Sequence, residues 1–339
     1  MQCHHNTGLC LLQCCIILIM ASTPRMGIKL PKGISFSRIS VPISMPWSFV
    51  ATEPGETGDR ISWQTVRMEE GIFNYAVAGE GLPVLFLHGW GVSHKTYKGA
   101  IASLASLGCK VVAPALPGFG GSPKLMSQER SFRLYAEWAM RFLEAVEIGD
   151  SPVVIGHSFG GGIAIQVAHD YSSSVRSAIL CNPVGGPVRC GPNGEVESMS
   201  NRPIWEWGQE LGVDLLSGSS LAKVIPAVAE GAVPNLFRNL PEVLKVVNIV
   251  RHADLLEEVE RASNSGVPIS IIWSDRDRLV PQGAVTGLCR AAGVRSVVVE
   301  GSHTWLISEP DMFADVVLRT MVDSGIDLDL FSGSISDII

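Results

Sequence analysis

The chain has 339 residues, 46% hydrophobic and 17% charged, with a formal net charge of -7. That suffices for one large domain of about 250 residues with an ample core, plus extensions. The acidic balance, with no run of more than two Lys or Arg, excludes a nucleic-acid partner.

Eight cysteines are present. Cys3, Cys10, Cys14 and Cys15 crowd the first fifteen residues, and Cys109, Cys181, Cys190 and Cys289 are scattered without a C-x-x-C pair. They read as free thiols in apolar surroundings rather than disulfides or a metal site. Leu9–Met20 is an uncharged apolar run of signal-core length, too short for a stable membrane span. No Lys or Arg precedes it and no A-x-A site follows. Two alternatives stay open, a targeting segment that would permit secretion and an upstream extension with Met26 or Met45 as the start; a soluble cytoplasmic or organellar protein is favoured. Residues 1–60 are read as an irregular extension without chemistry.

From residue 61 onward, Ile61–Met68 and Ile72–Ala78 predict two strands joined as a hairpin. Pro83–Leu87 predicts a strand buried on both faces that runs into His88–Gly91 (HGWG). A helical stretch near Lys95–Leu107 is followed by a strand at Lys110–Leu116 and the Gly-rich loop Pro117–Ser122 (PGFGGS). Ser131 reads as a helix N-cap, and Phe132, Tyr135, Trp138, Phe142 and Val146 recur at helical spacing as core residues. Pro152–Ile155 is a further apolar strand. Then Gly156, Ser158 and Gly160 match G-x-S-x-G, and Ile163–His169 continues as an apolar helix. Alone, that motif is often an ordinary turn. Between a strand and a helix it is the context of a nucleophile elbow.

Val175–Cys181, Pro268–Trp273 and Ser296–Glu300 complete the strands, with helices near Gly283–Ala292 and Pro310–Val322. Short apolar strands alternating with amphipathic helices predict an α/β fold with a mostly parallel sheet covered on both faces, and the first two strands predict an antiparallel edge. Between Asn182 and Gly266 the alternation stops. Trp205, Trp207, Leu211 and Leu215, and later Val243–Val259, look helical, so a helical cap is expected over the C-terminal strand ends. The expected divisions are 1–60, a core at 61–186 and 266–322, a cap at 187–265, and an acidic, frayed tail at 323–339.

A serine nucleophile needs a base, and the base needs a carboxylate to orient it. His303 follows the last strand within GSHTW and is the base candidate. His88 reads as structural, and His94, His169 and His252 lie in helical stretches. Asp275 and Asp277 both follow the strand Pro268–Trp273; Asp277, four residues before Pro281, is chosen, with Asp275 as a neighbour. Asn182, at the preceding strand end, cannot serve as the acid. For the oxyanion, two backbone amides are needed; Phe159, after the nucleophile, and Trp90, in the HGWG turn, are the candidates.

Together HGWG, PGFGGS, GHSFGG (156–161), SDRDRLVP (274–281) and GSHTW resemble the α/β-hydrolase superfamily over about residues 62–322. Ser274 and Ser302 depart from the glycines many members carry there. The resemblance implies hydrolysis through an acyl-enzyme without a cofactor or metal, and a serine nucleophile disfavours routes through an alkyl-enzyme ester on Asp. The expected activity is that of an esterase-like serine hydrolase acting on a small to medium, apolar small-molecule substrate. A C–C bond hydrolase, lactonase, aminopeptidase or cofactor-free haloperoxidase of the same fold remains an alternative, as does a non-catalytic ligand-binding member.

Overall fold

The computed structural model describes residues 61–148, 151–190, 196–202, 206–207, 210 and 221–331. The expectations for residues 1–60, and for Trp205, Leu211 and Leu215, lie outside them. No helix among the described residues is long and apolar enough to cross a membrane.

An eight-stranded sheet forms the frame. Its strands are β1 (Ser62–Met68), β2 (Gly71–Ala78), β3 (Leu82–Leu87), β4 (Cys109–Pro114), β5 (Val153–His157), β6 (Ser177–Cys181), β9 (Ile269–Ser274) and β10 (Val297–Val299), in spatial order β1-β2-β4-β3-β5-β6-β9-β10. The six strands from β4 to β10 run parallel, β2 pairs antiparallel with β4, and β1 pairs antiparallel with β2. The expected antiparallel edge is therefore present. Strands β7 (Val188–Cys190) and β8 (Val196–Ser198) pair separately as a small hairpin. The sequence reading expected no strand there, since three-residue strands leave too little alternation to detect.

Alternation along each central strand divides the core in two. Leu85, Leu87, Val154, Leu180 and Ile271 point to one face, under α2 (Phe132–Val146), α3 (Phe159–Asp170), α5 (Leu256–Asn264) and α6 (Gln282–Ala292). Val84, Phe86, Val153, Ile155 and Ile179 point to the other, under α1 (Lys98–Ser106) and α8 (Pro310–Asp323). Both faces being buried explains why these strands read as continuous apolar runs. Ser131 caps α2, its side chain accepting the Leu134 amide at 3.2 Å, and Phe132, Tyr135, Trp138 and Phe142 are all core.

Three local expectations change. Helix α3 starts at Phe159 rather than Ile163, so the glycines form its first turn. The single helical stretch expected across Val243–Val259 is two helices: α4 (Leu221–Arg251) ends before a turn, and α5 begins at Leu256. The chain after Asp323 is not frayed throughout, because Ile326 and Phe331 are buried in the α1/α8 face of the core.

Helix α4 is kinked at Asn239, two residues before Pro241, as expected where proline removes an amide donor and crowds the preceding turn. It packs against the 3-10 turn His94–Tyr97 and the short helix α7 (Trp305–Ser308). Both flank the loops at the C-terminal ends of the parallel strands, which is where open α/β sheets build their sites.

Candidate active site

Ser158 links β5 directly to α3 with φ 54° and ψ -113°. A side chain in this region is strained by about 1–3 kcal/mol and persists only where its surroundings enforce it. The enforcement is visible. The Ser158 amide donates to the Cys181 carbonyl, and the Ser158 carbonyl accepts the amides of Gly161, Gly162 and Val184. Close approach of bare backbone supplies the rest: a methyl at Gly160 would overlap the Leu87 carbonyl, and one at Gly156 the Gly160 carbonyl. The Phe159 amide is at the first position of α3, where no intrahelical acceptor exists; its ring is buried between Phe132 and Tyr135.

His303 and Asp277 meet. His303 Nδ1 lies 2.8 Å from Asp277 Oδ2, and both residues are buried. A carboxylate only accepts, so Nδ1–H donates and the lone pair of a neutral imidazole resides on Nε2. Asp277 Oδ1 takes the amides of Leu279 (2.8 Å) and Val280 (2.9 Å). The His303 loop adjoins the elbow: the His303 ring centroid is 4.7 Å from that of His157, the residue before Ser158. Asp275 accepts the Gly301 amide at 3.1 Å and so ties the same loop from outside.

Asn182, dismissed as an acid from the sequence, turns out to brace Asp277. Its Nδ2 donates to Asp277 Oδ2 and to Ser274 Oγ (2.6 Å), and its Oδ1 accepts from Trp305 Nε1 at 2.9 Å. Ser274 Oγ in turn donates to the Ser302 carbonyl at 2.9 Å. The serine that departs from glycine at 274 thus links the Asp277 loop to the His303 loop. A strand-end position beside Asp277 was the available signal for Asn182; its partners, far away in sequence, were not readable.

The HGWG turn approaches Ser158 at Gly89, where an added methyl would stand 3.5 Å from Ser158 Cβ. His88 is buried and structural, with Nδ1 against the Gly89 carbonyl at 2.8 Å and Nε2 accepting the Leu116 amide at 3.0 Å; burial pushes it down to about 4. Helix α4 clamps this turn. Asn235 Nδ2 donates to the carbonyls of Gly91 (3.0 Å) and Val92 (2.9 Å), and its Oδ1 accepts the Gly120 amide at 2.9 Å. The Trp90 indole donates to the Val243 carbonyl at 2.9 Å. Glu242 forms a buried pair with Arg130, and Asn239 Nδ2 donates to the Gly118 carbonyl at 2.8 Å. Further along α4, Val224 and Val228 pack with Val92 and Ile307, bridging the turn and the helix that follows His303.

The described residues therefore combine a strained serine, a buried His–carboxylate pair whose imidazole packs on the residue before that serine, and a helix N-terminus at the serine. This set is suited to acyl transfer. A model of the alpha/beta hydrolase family matches residues 84–316. The chain is 27% identical over 251 residues to a pimeloyl-(acyl-carrier protein) methyl ester esterase of Aeromonas hydrophila, covering 70% of this chain and 95% of that protein. It is 36% identical over 108 residues to a 2-hydroxymuconate semialdehyde hydrolase of Pseudomonas putida, 32% of this chain and 38% of that one. Among solved structures, a serine hydrolase involved in carbazole degradation superposes with a TM-score of 0.62 at 18% identity, over 78% of this chain and 99% of the other.

Proposed function

Because the chain belongs to the alpha/beta hydrolase family, we propose that it is a serine hydrolase cleaving an ester-type bond through an acyl-enzyme. Ser158 attacks the carbonyl carbon and His303 takes its proton, later returning a proton to the leaving alcohol. Asp277 holds His303 in the tautomer with Nε2 unprotonated and stabilises the imidazolium that forms. The amides of Phe159 and Trp90 stabilise the oxyanion, at roughly 3–4 kcal/mol each. The Gly89 amide is already committed to Tyr97 Oη at 3.1 Å, which favours the next amide of the turn for this role.

The observation that carries the proposal is the 2.8 Å His303–Asp277 pair, with the His303 ring packed 4.7 Å from His157, the residue before a serine held at positive φ. Helix α4 is the best candidate for the cap, and Val224, Val228, Val92 and Ile307 favour an apolar acyl or alcohol group. The test is labelling of the whole protein with a fluorophosphonate, followed by mass mapping of the adduct. An adduct on Ser158 is expected, absent in Ser158→Ala and slowed at least a hundredfold in His303→Ala. Labelling that survives in Ser158→Ala would refute the assignment. A panel of p-nitrophenyl esters, lactones and vinylogous diketones then separates ester from C–C hydrolysis.

A further inference from the structure

His157 and Tyr97 take no part in the triad chemistry, yet both are buried beside it. Tyr97 Oη lies 2.7 Å from His157 Nδ1, and His157 Nε2 lies 3.0 Å from the His303 carbonyl oxygen. The Gly89 amide donates to Tyr97 Oη at 3.1 Å. The proton positions follow from the ends of this chain. A carbonyl only accepts, so His157 carries its proton on Nε2. Nδ1 is then the acceptor, and the Tyr97 hydroxyl must donate to it while accepting from Gly89. With His157 neutral, each of these groups has a partner. Burial, reinforced by the neighbouring His303, holds His157 well below the ordinary histidine range.

The ends of the tie matter more than its middle. One end is the backbone of the proposed base, and the other is the amide immediately before Trp90. The tie passes directly under the elbow: a methyl built on Gly89 would stand 3.0 Å from Tyr97 Oη, 3.3 Å from His157 Nδ1 and 3.5 Å from Ser158 Cβ. Tyr97 is itself fixed by packing on Phe86 in β3, with ring centroids 5.1 Å apart.

We propose that Tyr97 and His157 are positioning residues, forming a buried hydrogen-bonded tie that sets the base loop and the HGWG turn at a fixed separation around Ser158. This rests on the serine-hydrolase reading above. Buried hydrogen bonds of this kind leave no slack, and displacement of a base by about 1 Å can cost a hundredfold in rate.

The test compares Tyr97→Phe, His157→Leu and His157→Gln with wild type. It measures fluorophosphonate labelling rates and kcat and KM for p-nitrophenyl butyrate, and uses circular dichroism to establish folding. Tyr97→Phe deletes one oxygen and leaves the Gly89 amide and His157 Nδ1 without their shared partner. His157→Gln keeps an amide donor for the His303 carbonyl. Tyr97→Phe is expected to lose roughly tenfold or more in kcat and labelling rate, with KM changed less than about twofold. His157→Leu should lose at least as much, and His157→Gln should recover most of that loss. If His157→Leu does not fold, the Tyr97→Phe and His157→Gln measurements carry the test. Folded Tyr97→Phe with wild-type kcat and labelling rate would overturn the proposal, as would a loss confined to KM or a His157→Gln no better than His157→Leu. A wild type that takes no label, or a Ser158→Ala that still does, would overturn the triad reading and this proposal with it.

Discussion

Asn182 is the residue whose removal best separates orientation from chemistry. Its amide braces Asp277 and Ser274 and receives the Trp305 indole, so Asn182→Ala unpairs a buried indole N–H and loosens the acid. A stability loss of about 1–3 kcal/mol is expected, read by urea unfolding, with turnover reduced about tenfold. Asp277→Asn has the same shape but turns an NH2 towards donors such as Asn182 Nδ2 and removes the charge that fixes the His303 tautomer. Stability should fall by a similar amount, while turnover falls much further, on the order of 10^4-fold. If both variants lost activity equally, Asn182 would be doing more than bracing. The positions of Ser158, Asp277 and His303 at strand ends were legible in the sequence because each sits in a short local pattern there. Asn182, Tyr97, His157 and Asn235 were not, because their roles exist only through partners such as Asp277, Gly89, His303 and Gly91, which no local pattern connects to them.

At the scale of elements, the elbow depends on how closely α3 approaches β3 and α2. A methyl at Gly160 would collide with the Leu87 carbonyl, which belongs to the central sheet and cannot retreat; at Gly162 it would meet the Phe132 ring, which can rotate. Gly162→Ala is therefore expected to cost about 1–3 kcal/mol by overpacking, while Gly160→Ala should cost more and abolish labelling of Ser158. Equal urea midpoints for the two would contradict this account. The central strands were readable because burial on both faces leaves uninterrupted apolar runs. The start of α3 was not, because three glycines read as a turn until tertiary packing makes them helical. The β7–β8 hairpin and the break between α4 and α5 likewise depend on contacts rather than on local pattern.

For the whole molecule, buried histidines contribute a loss of stability in acid. Burial lowers His88 to about 4; burial first, then the neighbouring His88 and Lys95, lowers His94 to about 3; His157 is lowered as well. Their pKa values in the unfolded chain are near 6.5, so below that the unfolded state binds more protons than the folded one. Stability is then full above about pH 6.5 and falls with pH towards about 4. His88 alone accounts for a loss on the order of 2 kcal/mol by pH 5. Urea midpoints measured between pH 7.5 and 5 should decline steadily, and a flat profile would show that these imidazoles are not held neutral.

The backbone of Ser158 has an evolutionary consequence. At φ 54° and ψ -113° a glycine would sit without strain, so random substitution at this position offers stability to any chain that can forgo the hydroxyl. A descendant retained only as a receptor would have no reason to resist that drift. Serine at this strained position is what the proposed nucleophilic role requires a lineage to keep.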